Sequence, residues 1–122
     1  MYQRALQGKE KTWGPEHTST LDTVNNLGLL YADLGRLDMA EKMYQRALQG
    51  FEKALGHEPV KTYIPALNAS ANLAALYQQL GRRSAAEELY SQALYGVGTV
   101  FGHASEQYQR IATALDTLRS GN

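Results

Sequence analysis

Apolar residues recur along this chain at steps of three and four. Leu21, Val24, Leu27, Leu30, Tyr31 and Leu34 fall on one side of a helical wheel, the pattern of an amphipathic helix. Gly35 follows and is suited to end that helix in the left-handed conformation. Ala40, Met43, Tyr44, Ala47, Leu48, Phe51 and Leu55 then mark one face of a second helix, which Gly56 stops. Asp38 with Glu41, and Ser84 with Glu87, have the spacing of a capping box and place helix starts there. No segment alternates as a strand would. The pattern predicts helices over about 18–35, 38–55, 62–80, 84–101 and 104–119, with a further one over 1–13.

The pattern is written more than once. MYQRALQG opens the chain and returns at 43–50, and eleven of fourteen positions agree between 1–14 and 43–56. Residues 24–57 and 70–103 agree at fifteen of 34 positions, among them Asn26/Asn72, Leu27/Leu73, Tyr31/Tyr77, Gly35/Gly81, Tyr44/Tyr90 and Ala47/Ala93. The two offsets are 42 and 46 residues. Self-similarity at such a period marks a helical solenoid, in which each helical hairpin leaves apolar residues that a neighbouring hairpin must cover. The fold class expected is therefore all-α, a single array of about six antiparallel helices over 1–122. It divides into a second helix at 1–13, full pairs at 18–55 and 62–101, and a first helix at 104–119 of a partial or capping repeat.

Gly28/Ala74, Ala40/Ala86 and Ala47/Ala93 are small at matched positions, as close helix approach requires. Trp13 holds the place of Leu55 and Phe101 and is read as packing. The four extra residues of the second offset lie within 57–69, where Pro65 suits a first helical turn and the insertion lengthens a connector.

Charge narrows the function. Twelve acidic and twelve basic residues balance, which leaves no electrostatic footprint for nucleic acid or a membrane surface. No apolar run is long enough to span a bilayer, and MYQRALQGKEK lacks the apolar centre of a signal peptide. The expected location is cytoplasmic. The absence of cysteine rules out disulfides, thiolate metal sites and cysteine nucleophiles. His17, His57 and His103 sit about one repeat apart in connectors, so no metal cluster is expected. No nucleophile–base or phosphate-loop motif is present. Gly96-Val-Gly98 lies at a helix end rather than after a strand, and Gly96 matches Gly50 and Gly8. The chain is read as a non-enzyme without cofactors. Of eight tyrosines, Tyr63, Tyr95 and Tyr108 stand out of register with the repeat.

Asn26-Leu27-Gly28-x-x-Tyr31-x-x-x-Gly35 followed by Ala40-x-x-x-Tyr44-x-x-Ala47-Leu48 resembles the tetratricopeptide repeat. The 42-residue period and the Gly14-Pro15-Glu16-His17 connector resemble the kinesin light chain and nephrocystin-like subclass. LGLLYADLGRLDMAEKMYQRALQG is most similar to the C-terminal arrays of fungal NB-ARC receptor proteins. The resemblance implies a right-handed superhelix whose first helices line a concave groove. Its groove positions fall here on Asp22, Asn25, Asn26, Leu29 and Asp33, then on Asn68, Ala71, Asn72, Ala75 and Gln79, and in the last helix on Arg110, Thr113, Ala114 and Thr117.

The residues support that reading in their own right. Asp22, Asn25/Asn26, Leu29 and Asp33 are three or four apart and share one helix face, and amide side chains both donate to and accept from an extended backbone. Peptide contacts are accordingly expected from Asn25, Asn26, Leu29, Asp33, Asn68, Asn72 and Gln79. Two readings stay open for Asn26 and Asn72, as peptide contacts or as ties between neighbouring helices. Relatives that grip a C-terminal carboxylate place several cations in the groove, whereas here Arg110 is the only basic groove residue. A neutral to basic protein segment is the partner expected. The alternative is self-assembly, by head-to-tail stacking or helix exchange through the unpartnered terminal helices.

Overall fold

Five long helices and one single turn follow one another in the computed structural model, which describes residues 18–120. They are α1 (Thr18–Asp33), α2 (Leu37–Leu55), α3 (His57–Val60), α4 (Ile64–Gln79), α5 (Arg83–Phe101) and α6 (Glu106–Ser120). No strand occurs among the described residues. The helix expected over 1–13, with Trp13 and His17, lies outside them.

Glycine ends these helices as the sequence predicts. Gly35, Gly56, Gly81 and Gly102 have φ of 77°, 95°, 81° and 87°. Past Gly35 the Arg36 N–H donates to the Tyr31 carbonyl, and past Gly81 the Arg82 N–H donates to the Tyr77 carbonyl, both at 2.8 Å. The same six-residue wrap is thus used twice, and only glycine enters it without steric cost.

The helix starts differ from expectation. α2 begins at Leu37 and α5 at Arg83, and neither N-cap residue, Arg36 or Arg82, caps with its side chain. The glycine wrap delivers the chain into the next helix one residue early. Asp38 and Ser84 therefore stand inside the first turn, and the expected capping boxes do not form. Asp38 still complements the positive end of α2. The insertion before α4 is partly helical, since α3 occupies His57–Val60. Pro65 sits in the first turn of α4 behind an extended Tyr63, as predicted.

The chain forms two compact units, residues 1–60 and 61–122. In the first, a Cβ at Gly50 would meet Leu21, while one at Gly28 would meet Tyr44 and Met43. Later residues on α1 thus face earlier ones on α2, so the pair is antiparallel. Leu21, Val24, Tyr44 and Phe51 are at most 2% exposed. The second unit pairs α4 with α5 in the same way, and α6 adds Leu115 and Leu118 to its buried residues. Ala40, Ala47, Ala74, Ala86 and Ala93 are wholly inaccessible, so the small residues do sit where the packing is tightest.

Two assignments to the apolar face fail. Leu30 is 38% and Leu34 61% exposed. Leu30 follows Gly28 by two residues, about 200° round the helix, and so turns away from α2. Leu34 lies beyond the end of α1. Phe101 is also exposed and Leu55 only half-buried. α5 has 19 residues against 16 in α4, so that second helix outruns its first by roughly 4.5 Å.

Burial of Tyr44 gives this core a pH dependence. Desolvation, assisted by the negative charge of Asp33, pushes the Tyr44 phenol up to about 12. Burial likewise raises Tyr90. Folding favours the neutral phenol, so this contribution is complete below the ordinary value near 10 and is lost as pH rises towards 12. Helicity is expected to fall across that interval, and Tyr44→Phe should make the fall shallower. An equally steep loss in Tyr44→Phe, followed by circular dichroism, would contradict this cause.

Candidate functional site

On α1, Asp22, Asn26, Leu29 and Asp33 are spaced four, three and four. Counted from Gly28, which α2 covers, they lie roughly 100–160° round the helix. The fold thus turns them away from α2. Asn26, Leu29 and Asp33 are exposed, while Asp22 and Asn25 are half-buried. Leu29 is 41% exposed, an apolar residue between polar ones on a face that the α1–α2 core does not need.

The second unit holds the corresponding row on α4. Asn68, Ala75 and Gln79 are exposed, and Ala71 and Asn72 half-buried. On α6, Arg110, Thr113 and Thr117 are exposed, and Ala114 half-buried. Arg110 reaches Glu106 one turn back at 3.5 Å, with both side chains mostly in solvent. Such a pair is worth little, but it sets a negative charge beside the cation. The predicted contacts Asn25, Asn26, Leu29 and Asp33 therefore lie together in the first unit, and Asn68, Asn72 and Gln79 in the second.

The outer face of α6 departs from the repeat. Leu115 and Leu118 match Leu27 and Leu30, so Gln109 stands where Leu21 does and Asp116 where Gly28 does. In α1 those positions receive α2. In α6 both are exposed, and the Gln109 amide donates to the His103 carbonyl at 2.7 Å. The inner side of α6 is tied to α5 instead. Arg83 donates to the Leu118 carbonyl at 2.5 Å, and Arg119 pairs with Glu87 at 3.4 Å.

A second cleft was only half visible in the sequence. Ser91, Leu94, Tyr95, Gly98, Thr99, His103 and Tyr108 line a volume of about 480 Å³ in the second unit. Tyr95 and Tyr108 are two of the three tyrosines out of register with the repeat. The third, Tyr63, sits instead at the N-cap of α4. A surface in the first unit that shares the matched positions 45, 49 and 53 with it is lined by Leu21, Lys42, Gln45, Arg46, Gln49, Gly50 and Lys53. Among the described residues no group of three or more His, Asp or Glu is placed to hold a metal ion, and no helix is long and apolar enough to cross a membrane.

Known proteins supply the context for this geometry. A search of curated proteins gives no match. The crystal structure of BtubC (BKLC) from P. vanneervenii superimposes with a TM-score of 0.81 at 19% identity, over 96% of this chain and 45% of that one. At that identity the likeness establishes the fold, an all-α helical repeat, and the chain spans less than half of the protein it matches. Two sequence profiles, each described as tetratricopeptide repeat, match residues 1–53 and 67–107. Together they take in most of both helix pairs, with the glycine turns at Gly35 and Gly81, and the chain belongs to the tetratricopeptide repeat family.

Proposed function

We propose that this chain binds a peptide or protein segment on the polar face of α1 in its first unit and on the matching face of α4 in its second, as a protein–protein interaction module without catalysis. The observation that carries the reading is the α1 face, where exposed Leu29 lies between Asn26 and Asp33 and the fold asks for none of them. Amides there can pair with an extended backbone whatever its side chains. Asp22 and Asp33 favour a neutral to basic segment. The likeness of residues 27–50 to fungal receptor arrays supports a sensor or scaffold role within a larger cytoplasmic protein.

An array of extended peptides, graded from acidic to basic, tests the reading. Asn26→Ala with Asn72→Ala is expected to weaken the best neutral or basic binder about tenfold or more while helicity is unchanged. Equal binding by the double variant would remove the row from the site.

The rival idea, self-association by docking a helix on the outer side of α6, meets the polar face of that helix. A second helix docked there would bury Gln109 and the Asp116 carboxylate in place of a leucine and a glycine, which is costly without partners. Light scattering should show no growth in mass through this end as concentration rises.

A further inference from the structure

We propose that the cleft between the last turns of α5 and the start of α6 is a second binding site, for an uncharged, proline-containing extended segment. It is distinct from the polar row of the first helices and does not rest on that reading.

The cleft is held in shape before any ligand arrives. His103 and Tyr108 stack with ring centroids 4.5 Å apart and planes within 9° of parallel. The Gln109 amide fixes the His103 carbonyl, and the Tyr108 N–H donates to the Ser105 hydroxyl at 3.1 Å. The ring pair lies against α5 at Gly98, where a Cβ would come within 3.0 Å of Tyr108 and 3.2 Å of His103. Tyr95 stands free on the other side, 64% exposed. A mobile aromatic patch would lose much of its binding energy to ordering, whereas these rings are already placed.

The repeat does not require this surface. Positions 49, 52 and 53 carry Gln, Glu and Lys in the first unit, and the matched positions 95, 98 and 99 carry Tyr, Gly and Thr. Lys53, which lines a surface of the first unit beside Gln45 and Gln49, thus gives way to Thr99. The second unit's cleft has no Lys, Arg, Asp or Glu in its lining. A charged segment entering it would lose hydration with no counter-charge, so charge matching selects an uncharged ligand. What remains is flat aromatic surface edged with the hydroxyls of Ser91, Tyr95 and Tyr108. An extended polyproline-type segment matches both, with pyrrolidine rings to lie on the aromatics and free carbonyls to accept from hydroxyls, and its ordering cost is already low.

The test is fluorescence-polarisation titration of the whole chain with a labelled ten-residue peptide of proline, alanine and leucine, against the same peptide with every proline replaced by alanine. Saturable binding at micromolar concentration is expected, weakened about tenfold by the loss of proline and by a similar factor in Tyr95→Gln. Tyr95→Gln installs the residue of matched position 49 on an exposed site, so folding should be kept. Tyr108→Phe, which keeps the ring and removes a hydroxyl, should weaken binding by a smaller factor. No saturable binding up to millimolar peptide, or equal binding of the proline-free peptide, overturns the proposal. So does undiminished binding by Tyr95→Gln. Self-association that Tyr95→Gln abolishes would give the cleft to a second copy of the chain and overturn it equally.

Discussion

Replacing Gly96 by alanine is expected to destabilise the second unit by about 2–4 kcal/mol, although alanine is the better helix former. In an open helix the exchange should gain roughly 1 kcal/mol. At residue 96 the new methyl has nowhere to go. A Cβ there would fall well inside contact distance of the Lys61 carbonyl oxygen, and 2.6 Å from both end methyls of Leu67. Leu67 is buried and the Lys61 oxygen belongs to the main chain, so relief requires α5 to move off the start of α4. Overpacking of this kind costs about 1–3 kcal/mol and sometimes more, enough to lower Tm by about 10 °C. Gly50→Ala provides the comparison. The nearest atoms to the methyl there all belong to Leu21, with Cδ2 closer than either Leu67 methyl is to residue 96 and Cδ1 at 2.9 Å, but no main-chain atom is among them and a side-chain end can shift more easily. It should cost less than Gly96→Ala. A Gly96→Ala protein that melts at or above the wild-type temperature would remove the close approach of α5 to the Lys61 main chain.

Gly96 shows how much of this fold could be read from residues and where reading stopped. Its repetition at 8, 50 and 96 indicated that the position matters to every repeat, but not that a carbonyl oxygen presses on it in one copy and a leucine in another. Helix pairs, their glycine stops and the small residues at close approach were legible because periodicity and left-handed glycine are local in origin. The starts of α2 and α5 were misplaced by a residue because Asp38 and Ser84 carry a capping pattern that the preceding glycine wrap overrides. Leu30, Leu34 and Leu55 looked like core because a wheel shows which residues share a face, not which face a neighbour covers or how far that neighbour extends. The polar row on α1 was legible from its spacing of four, three and four. The aromatic cleft was legible only in part. Tyr95 and Tyr108 were out of register, but they lie thirteen residues apart, and only the turn at Gly102 brings them to one cleft.

The same distinction between a face and its cover makes Ala47→Trp and Ala93→Trp sharp tests. Both alanines are wholly inaccessible, and they occupy the same position in α2 and α5. Helices in contact have axes about 8–10 Å apart, and an indole at such a point has to push them beyond that. A cost of about 3 kcal/mol or more is expected for each, at the upper end of overpacking. Ala54 lies seven residues after Ala47, only about 20° away on the same face. It is exposed all the same. Ala54→Trp should therefore change stability by no more than about 0.5 kcal/mol. Azimuth alone predicts similar losses at 47 and 54, whereas burial predicts a large loss at one and almost none at the other. Thermal melts of the three variants separate these outcomes, and comparable losses at Ala47 and Ala54 would show that the cover over α2 extends further than its pairing with α1 provides.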